Sequence, residues 1–197
     1  LSDLVVVIDP GHGYCKYEGV LDPGAVGYVT EFDANLPIAK ELESQLTACG
    51  ATVIRIKSES EFSFTNSRPS YGRPYNANMF ISIHANKIVG NESVRGTEVY
   101  YFTPYSQPLA AQLSSNIASY FTNNVYSDGA DKNRGARYSY YWVTLQQDFP
   151  SVLIETGFVS NLEDAMAIVN AEHQKGIARA IVTGIQNYIA RSSISLS

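Results

Sequence analysis

The sequence predicts an α/β domain: a three-layer sandwich in which a twisted, mostly parallel or mixed sheet of about six strands carries helices on both faces. Three observations lead there. Largely apolar runs at residues 5–8, 79–83 and 152–154, rich in Val and Ile and bounded by turn residues, read as strands buried on both faces. Between such strands the apolar residues recur every three or four positions, the period of a helix packed by one face, and alternation of the two is the α/β pattern. The 197 residues are 45% hydrophobic and 17% charged, enough for one core, with no internal repeat or low-complexity linker to divide it. The expected organisation is one domain over residues 1–191 and a short tail over 192–197.

The elements follow in order. Residues 5–13, V-V-V-I-D-P-G-H-G, form a strand that Pro10 should end, because its ring removes a ladder donor. Residues 13–30 are Gly-rich and contain D-P-G-A-V-G at 22–27, which is turn chemistry. Asp33 is the expected N-cap of a helix with apolar positions Leu36, Ala39, Leu42, Leu46 and Cys49, closed by Gly50. Residues 51–56 return as a second strand, in a right-handed crossover. Residues 57–75 are polar and punctuated by Pro, with a short helix near 71–77, and residues 79–83 form a strand ending in His84-Ala85-Asn86. Residues 96–102 read as another strand, and Leu109, Leu113, Ile117 and Phe121 mark a helix entered through Ser106. Residues 123–137 are expected to be an exposed loop, followed by a short strand and a helical turn within 138–145. The strand at 152–154 ends at Glu155-Thr156-Gly157, Asn161 caps a short helix to about Ile168, and Ile177, Ile181, Ile185 and Ile189 mark the last helix.

Composition excludes several partners. A net charge of −5 argues against a nucleic-acid surface, which needs clustered Lys and Arg to replace phosphate counterions. No apolar run is long enough to span a bilayer, and the first residues lack the basic-then-apolar pattern of a secretory signal, as in a mature or excised domain. Two cysteines are too few for a disulfide framework; Cys49 is expected to be a small buried hydrophobe.

Chemistry gathers at the strand ends. His12, His84 and Glu155 each follow a buried strand, and Glu31 leads into the first helix. In a doubly wound sheet such positions converge on one rim, where open α/β sheets place their ligands. Two imidazoles and a carboxylate are a zinc set that leaves a position for water, and a further carboxylate can carry the proton. The same residues also have plainer roles: Glu31 as a helix-entry carboxylate, Glu155 as a strand-end acid paired with an Arg, the histidines as polar residues of a cleft. Cys15 is not counted as a ligand, since thiolate zinc sites usually pair their cysteines, and His173 is given no function.

Six blocks in order resemble one family: V-V-V-I-D-P-G-H-G, D-P-G-A-V-G, Glu31 ahead of A-N-L, F-I-S-I-H-A-N, G-T-E-V-Y-Y and P-S-V-L-I-E-T-G-F-V-S-N. They are similar to the zinc-dependent N-acetylmuramoyl-L-alanine amidases, bacterial cell-wall hydrolases of the amidase-3 family. The resemblance implies one Zn2+ held by His12, Glu31 and His84, with Glu155 as catalytic acid and base. It implies hydrolysis of the amide between N-acetylmuramic acid and the L-alanine of the stem peptide by a zinc-activated water. It implies peptidoglycan, both glycan strand and stem peptide, as partner; a monomer at the bacterial cell wall; and wall-binding modules elsewhere in the parent chain. The residues leave two rivals open, a zinc peptidase or carboxypeptidase cutting another stem amide and a non-catalytic wall-binding module.

Support roles follow. Asp9 and Asn86 are expected either to orient His12 and His84 or to cap strand ends. Arg68 matches a family arginine, although Gly72-Arg73 and Asn78 depart from the family's usual Ala-Asn and Asp. Some relatives carry a long insert that covers the zinc; residues 103–133 here are accounted for by one helix and a short loop, so the site should open to solvent. Tyr14, Tyr17 and Tyr28 are candidates to contact sugar or peptide.

Overall fold

A computed structural model describes residues 1–14, 20–56 and 68–194. In chain order the elements are β1 (Val5–Pro10), β2 (Gly13–Tyr14), β3 (Leu21–Asp22), α1 (Glu31–Ala48), β4 (Thr52–Arg55), β5 (Met79–Asn86), β6 (Thr97–Tyr101), α2 (Gln107–Asn124), β7 (Asn133–Tyr138), β8 (Ser151–Phe158), α3 (Leu162–Ile168) and α4 (Ala171–Ile194). Short 3-10 helices occupy Arg68–Tyr75, Pro104–Ser106 and Trp142–Thr144. Six strands form one mixed sheet in the order β4-β1-β5-β8-β6-β7, in which β6 and β8 are antiparallel and all other neighbours parallel. β2 and β3 pair separately as a small hairpin.

The two faces are covered differently. On one face Val6, Ile8, Ile81, Ile83, Val99 and Ile154 meet Ile38, Leu42 and Leu46 of α1, Leu113 and Ile117 of α2, and Ile177, Ile181 and Ile185 of α4. On the other, Val7, Phe80 and Leu153 meet Ile56, Ala77, Val143 and Phe149, close to the 3-10 helices at Arg68–Tyr75 and Trp142–Thr144. The expected sandwich is therefore present with helices on both sides. Gly72 and Pro74 explain why the segment at Arg68–Tyr75 is 3-10 rather than α, since each opposes a continuous α-helix.

Several elements differ from expectation for identifiable reasons. β1 includes Pro10: pairing with β4 stops at Ile8↔Arg55, so the missing proline donor faces no partner strand, while the next donor, Gly11 N–H, reaches Ile83 O on the β5 side at 2.8 Å. His84 and Glu155 lie within β5 and β8 rather than past them. Thr30, not Asp33, caps α1, its hydroxyl accepting from Asp33 N–H at 3.2 Å, so Glu31 is the first helical residue. Ser106 precedes α2 without a side-chain capping bond; its hydroxyl pairs with Thr103 and accepts from Ser151 N–H. Cys49 is the exposed C-cap of α1, not a buried hydrophobe. β7 replaces part of the expected loop: N-R-G-A-R-Y has no apolar alternation because an edge strand is held by pairing with β6 and not by burial. α4 runs to Ile194, past the start expected for the tail.

One buried carboxylate locks the far side of the sheet. Asp164, in the first turn of α3, accepts from Gly96 N–H at 2.9 Å, Phe158 N–H at 2.9 Å and Tyr126 O–H at 2.7 Å. Asp164→Ala would strip three buried donors of their acceptor. The expected cost is about 2–4 kcal/mol of unfolding free energy, at ~1–3 kcal/mol for each group left unsatisfied less relaxation, read from the urea midpoint at unchanged slope. A loss below about 1 kcal/mol would show that water replaces the carboxylate freely.

Candidate metal centre

Three elements deliver the centre. His12 follows β1 by two residues and sits in the left-handed region at φ 62, which swings its ring back over the sheet end. His84 comes from β5, the strand beside β1, and Glu31 from the first position of α1. One nitrogen or oxygen from each of His12, Glu31 and His84 lies within 4.8 Å of the others, a set that could hold a metal ion.

Glycines allow this closeness. A Cβ on Gly11 would stand 2.3 Å from the His84 ring, and one on Gly24, at φ +69, would stand 2.6 Å from both Glu31 Oε2 and the His12 ring. The two imidazoles thus rest directly on backbone, their centroids 5.1 Å apart and edge-on at 80°. That is the reason D-P-G occurs both before His12 and before Glu31.

Glu31 is the hub. Its Oε1 faces His84 Nδ1 at 2.7 Å and accepts from Ala85 N–H at 3.2 Å and Asn35 Nδ2 at 3.3 Å; its Oε2 faces His12 Nε2 at 3.2 Å and accepts from Ala25 N–H at 2.9 Å. Burial alone would raise its pKa, but the contacts with His12 and His84 outweigh it and hold the carboxyl well below the usual range. His12 Nδ1 meets Asp22 Oδ2 at 2.8 Å, and Asp22 Oδ1 accepts from Gly24 N–H at 3.0 Å. A carboxylate only accepts, so it places the proton on Nδ1 and turns the Nε2 lone pair toward the centre. Burial opposes a charge on His12, yet Glu31 and Asp22 together raise its pKa above the ordinary value.

Glu155 stands beside this set. It is in register with His84 on β5 and with Glu98 on β6, so three polar side chains form a row across adjacent strands. It is 9% exposed, and its Oε2 has no hydrogen-bond partner among the described residues. Burial, then the charges of Glu31 and Glu98, push its carboxyl well above the usual range. A buried, unpartnered carboxylate oxygen beside two imidazoles and a second carboxylate fits a site built around a cation and a water.

The support residues are arranged otherwise than expected. Asp9 accepts from Arg68 Nη1 at 3.2 Å and Ser82 Oγ at 2.7 Å, which makes it a core anchor for Arg68 and not an orienter of His12. Asn86 donates to Glu98 Oε1 at 2.6 Å rather than serving His84. Glu98 also binds Tyr100 O–H, Arg134 and Arg137, so the arginine partners belong to it and not to Glu155. Asp22 was missed as an orienter because D-P-G reads as a turn; Glu98 was missed because its arginines lie on the unanticipated β7. His173 accepts from or donates to Tyr120 O–H at 2.9 Å, far along the chain from the centre. Cys15, Tyr17 and the Tyr14 side chain lie outside the described residues. Residues 103–133 do not form a cover: α2 packs on α4, β6 and β7.

Comparisons with known proteins identify the family. The family model described as N-acetylmuramoyl-L-alanine amidase matches residues 6–187. Among curated relatives, the N-acetylmuramoyl-L-alanine amidase LytC of Bacillus subtilis is 32% identical over 184 residues, 93% of this chain and 35% of that protein. This chain therefore spans about a third of LytC. Among solved structures, the N-acetylmuramoyl-L-alanine amidase AmiC2 of Nostoc punctiforme is similar with a TM-score of 0.82 at 34% identity, over 95% of this chain and 97% of that one. The catalytic domain of CwlV, an N-acetylmuramoyl-L-alanine amidase from Bacillus (Paenibacillus) polymyxa, gives 0.81 at 31% identity, over 95% and 98%.

Gly11→Ala tests the backbone contact. Its Cβ must displace the His84 ring from Glu31, and the expected result is a drop in affinity for a divalent metal ion of about ten- to hundred-fold, the range seen when a ligand loses its support. Metal analysis after equilibrium dialysis reads the affinity and far-UV circular dichroism reads the fold. Wild-type metal retention would mean that the ring moves without leaving the centre.

Proposed function

The chain belongs to the N-acetylmuramoyl-L-alanine amidase family and is a peptidoglycan amide hydrolase, and from that premise we propose that His12, Glu31 and His84 hold a single zinc ion while Glu155 serves as general acid and base. The observation that carries this reading is the convergence of two imidazoles and one carboxylate from three separate elements, with the partnerless Glu155 oxygen beside them. Bound there, the ion would polarise the amide carbonyl and lower the pKa of a water to roughly 7.

The rest falls to the chain's own groups. Glu155 takes a proton from the attacking water and later delivers it to the alanine nitrogen, since an amine anion is too poor a leaving group to depart unaided. Burial suits it to both steps, because a carboxyl with a raised pKa accepts a proton more readily than an ordinary carboxylate does. Asp22 keeps the Nε2 lone pair of His12 aimed inward, and Ala25 N–H, Ala85 N–H and Asn35 keep the Glu31 oxygens from rotating.

The curated relatives include proteins named probable cell wall amidases from staphylococci, which supports action at the bacterial cell wall. There, we infer, the chain works as a monomer. Its net charge of −5 gives no attraction to an anionic wall polymer, so retention falls to a separate wall-binding module.

The test is product release from purified peptidoglycan by the zinc-loaded chain, the chelated chain and zinc-loaded Glu155→Gln. Wild type should liberate stem peptides with a free alanine amine, chelation should abolish release, and Glu155→Gln should keep its zinc while losing about 10²–10⁴-fold in rate. Cleavage within the stem would identify a peptidase instead, and wall binding without release a binding module.

A further inference from the structure

We propose that Arg134 and Arg137 form a subsite for a carboxylate of the stem peptide, on the leaving side of the scissile amide; the assignment of the anion to the stem peptide rests on the amidase reading above. The first observation is a surplus of charge. The buried Glu98 carboxylate is met by two groups at each oxygen: Asn86 Nδ2 at 2.6 Å and Tyr100 O–H at 2.7 Å at Oε1, Arg134 Nε at 2.8 Å and Arg137 Nε at 3.0 Å at Oε2. Those contacts fill the acceptor capacity of a carboxylate. One negative charge therefore holds two positive ones, and one guanidinium charge is left over.

The second observation is what the arginines keep. Each touches Glu98 through Nε, and none of their Nη nitrogens meets an acceptor among the described residues. Arg134 is fixed further by lying over the Phe158 ring, 5.1 Å from its centroid. Its side chain is 29% exposed and that of Arg137 44%, so neither is sealed in. A Cβ on Gly135, which lies between them in the chain, would meet no atom within 4 Å, so there is open space beside the strand there. A planar fork with unspent N–H donors matches a carboxylate bidentately. Held in place by Glu98, it loses little freedom on binding.

The third is place. His84 pairs with Glu155, Glu155 with Glu98, and Tyr100, two residues on from Glu98 and so on the same face, with Arg137. The arginines therefore continue the row of polar groups from the metal centre outward to β7. That face is the one on which the centre opens, since the Tyr100 ring meets Tyr141 at 5.0 Å and Tyr141 lines one cavity with His12 and His84. Neighbouring strands lie about 4.8 Å apart, so β7 stands roughly 10 Å from Glu155, a span that an extended peptide covers in about three residues. A stem peptide leaving the metal centre carries a free carboxylate within that reach, at the acidic residue next to its alanine. The chain as a whole has a net charge of −5, so an acidic peptide finds no general attraction and needs a local cation to hold it.

The test compares two stem tripeptides, alanyl-D-isoglutamyl-lysine and its D-isoglutamine counterpart, which differ only in whether the residue after alanine carries a carboxylate or a carboxamide. Isothermal titration calorimetry reads their binding to the zinc-loaded chain, and release from the corresponding muramoyl peptides reads kcat/KM. The expected result is a preference of about ten- to hundred-fold for the carboxylate in both, the range of a charge-assisted hydrogen-bonded pair. Arg137→Gln should remove the preference by weakening the carboxylate peptide alone, whereas a merely structural loss would weaken both peptides alike. Arg137→Lys, which keeps the charge that Glu98 needs but not the fork, should retain only part of the preference. Circular dichroism melting reads the folding of both variants. Equal treatment of the two peptides by wild type, binding of neither, or a full preference in a folded variant would overturn the proposal and leave the arginines to Glu98 alone. Cleavage without a preference would do so with the amidase reading intact. A binding preference without cleavage would uphold the subsite and sink the amidase reading.

Discussion

Everything at the active rim depends on a buried carboxylate that is never allowed to be alone. Glu31 is 4% exposed, where an unpaired charge is untenable, and five groups from three parts of the chain close around its two oxygens. That requirement fixes where α1 may begin, because the carboxylate must leave the first helical position with Thr30 capping behind it. It ties the ends of the neighbouring strands β1 and β5 together, because both histidines meet the same side chain. It also makes the site a structural cross-brace, because the contacts that keep the carboxylate paired tie the loop after β1, α1 and β5 together.

Legibility in the sequence tracked burial. β1, β5 and β8 could be read because a strand covered on both faces has to be continuously apolar, and α1, α2 and α4 because one buried face imposes a period. The pairs that meet at the rim could be named for the same reason, since chemistry placed at the ends of readable strands has few places to go. β7 could not be read: an edge strand carrying two arginines toward Glu98 satisfies an electrostatic demand set by a residue 36 positions earlier, and no local period reports that. Asp22 was hidden differently. Asp, Pro and Gly make a turn anywhere, and only the approach of His12 to Gly24 reveals that this turn also has to present a carboxylate at one nitrogen. The 3-10 layer on the second sheet face was legible only as a short helix near 71–77 and a helical turn within 138–145, without its exact bounds, because its packing rests on isolated residues such as Phe149 and Ala77 rather than on a stripe.

The reversal of β6 explains how Glu155 can be kept without a partner among the described residues. A parallel sheet ends all its strands at one rim, and His12, Glu31 and His84 meet there. By running antiparallel to β8, β6 brings Glu98 level with Glu155 from the opposite direction. Glu98 is then satisfied from the β7 side by Arg134 and Arg137 and from the β5 side by Asn86. With those donors consumed, Glu155 remains between Glu98 and the cluster of His12, Glu31 and His84, buried and with its Oε2 unpartnered among the described residues. Had the arginines reached Glu155, its proton affinity would fall. A chemical group that must stay free is thus surrounded by groups that must not, and the mixed topology of the sheet is what separates the two.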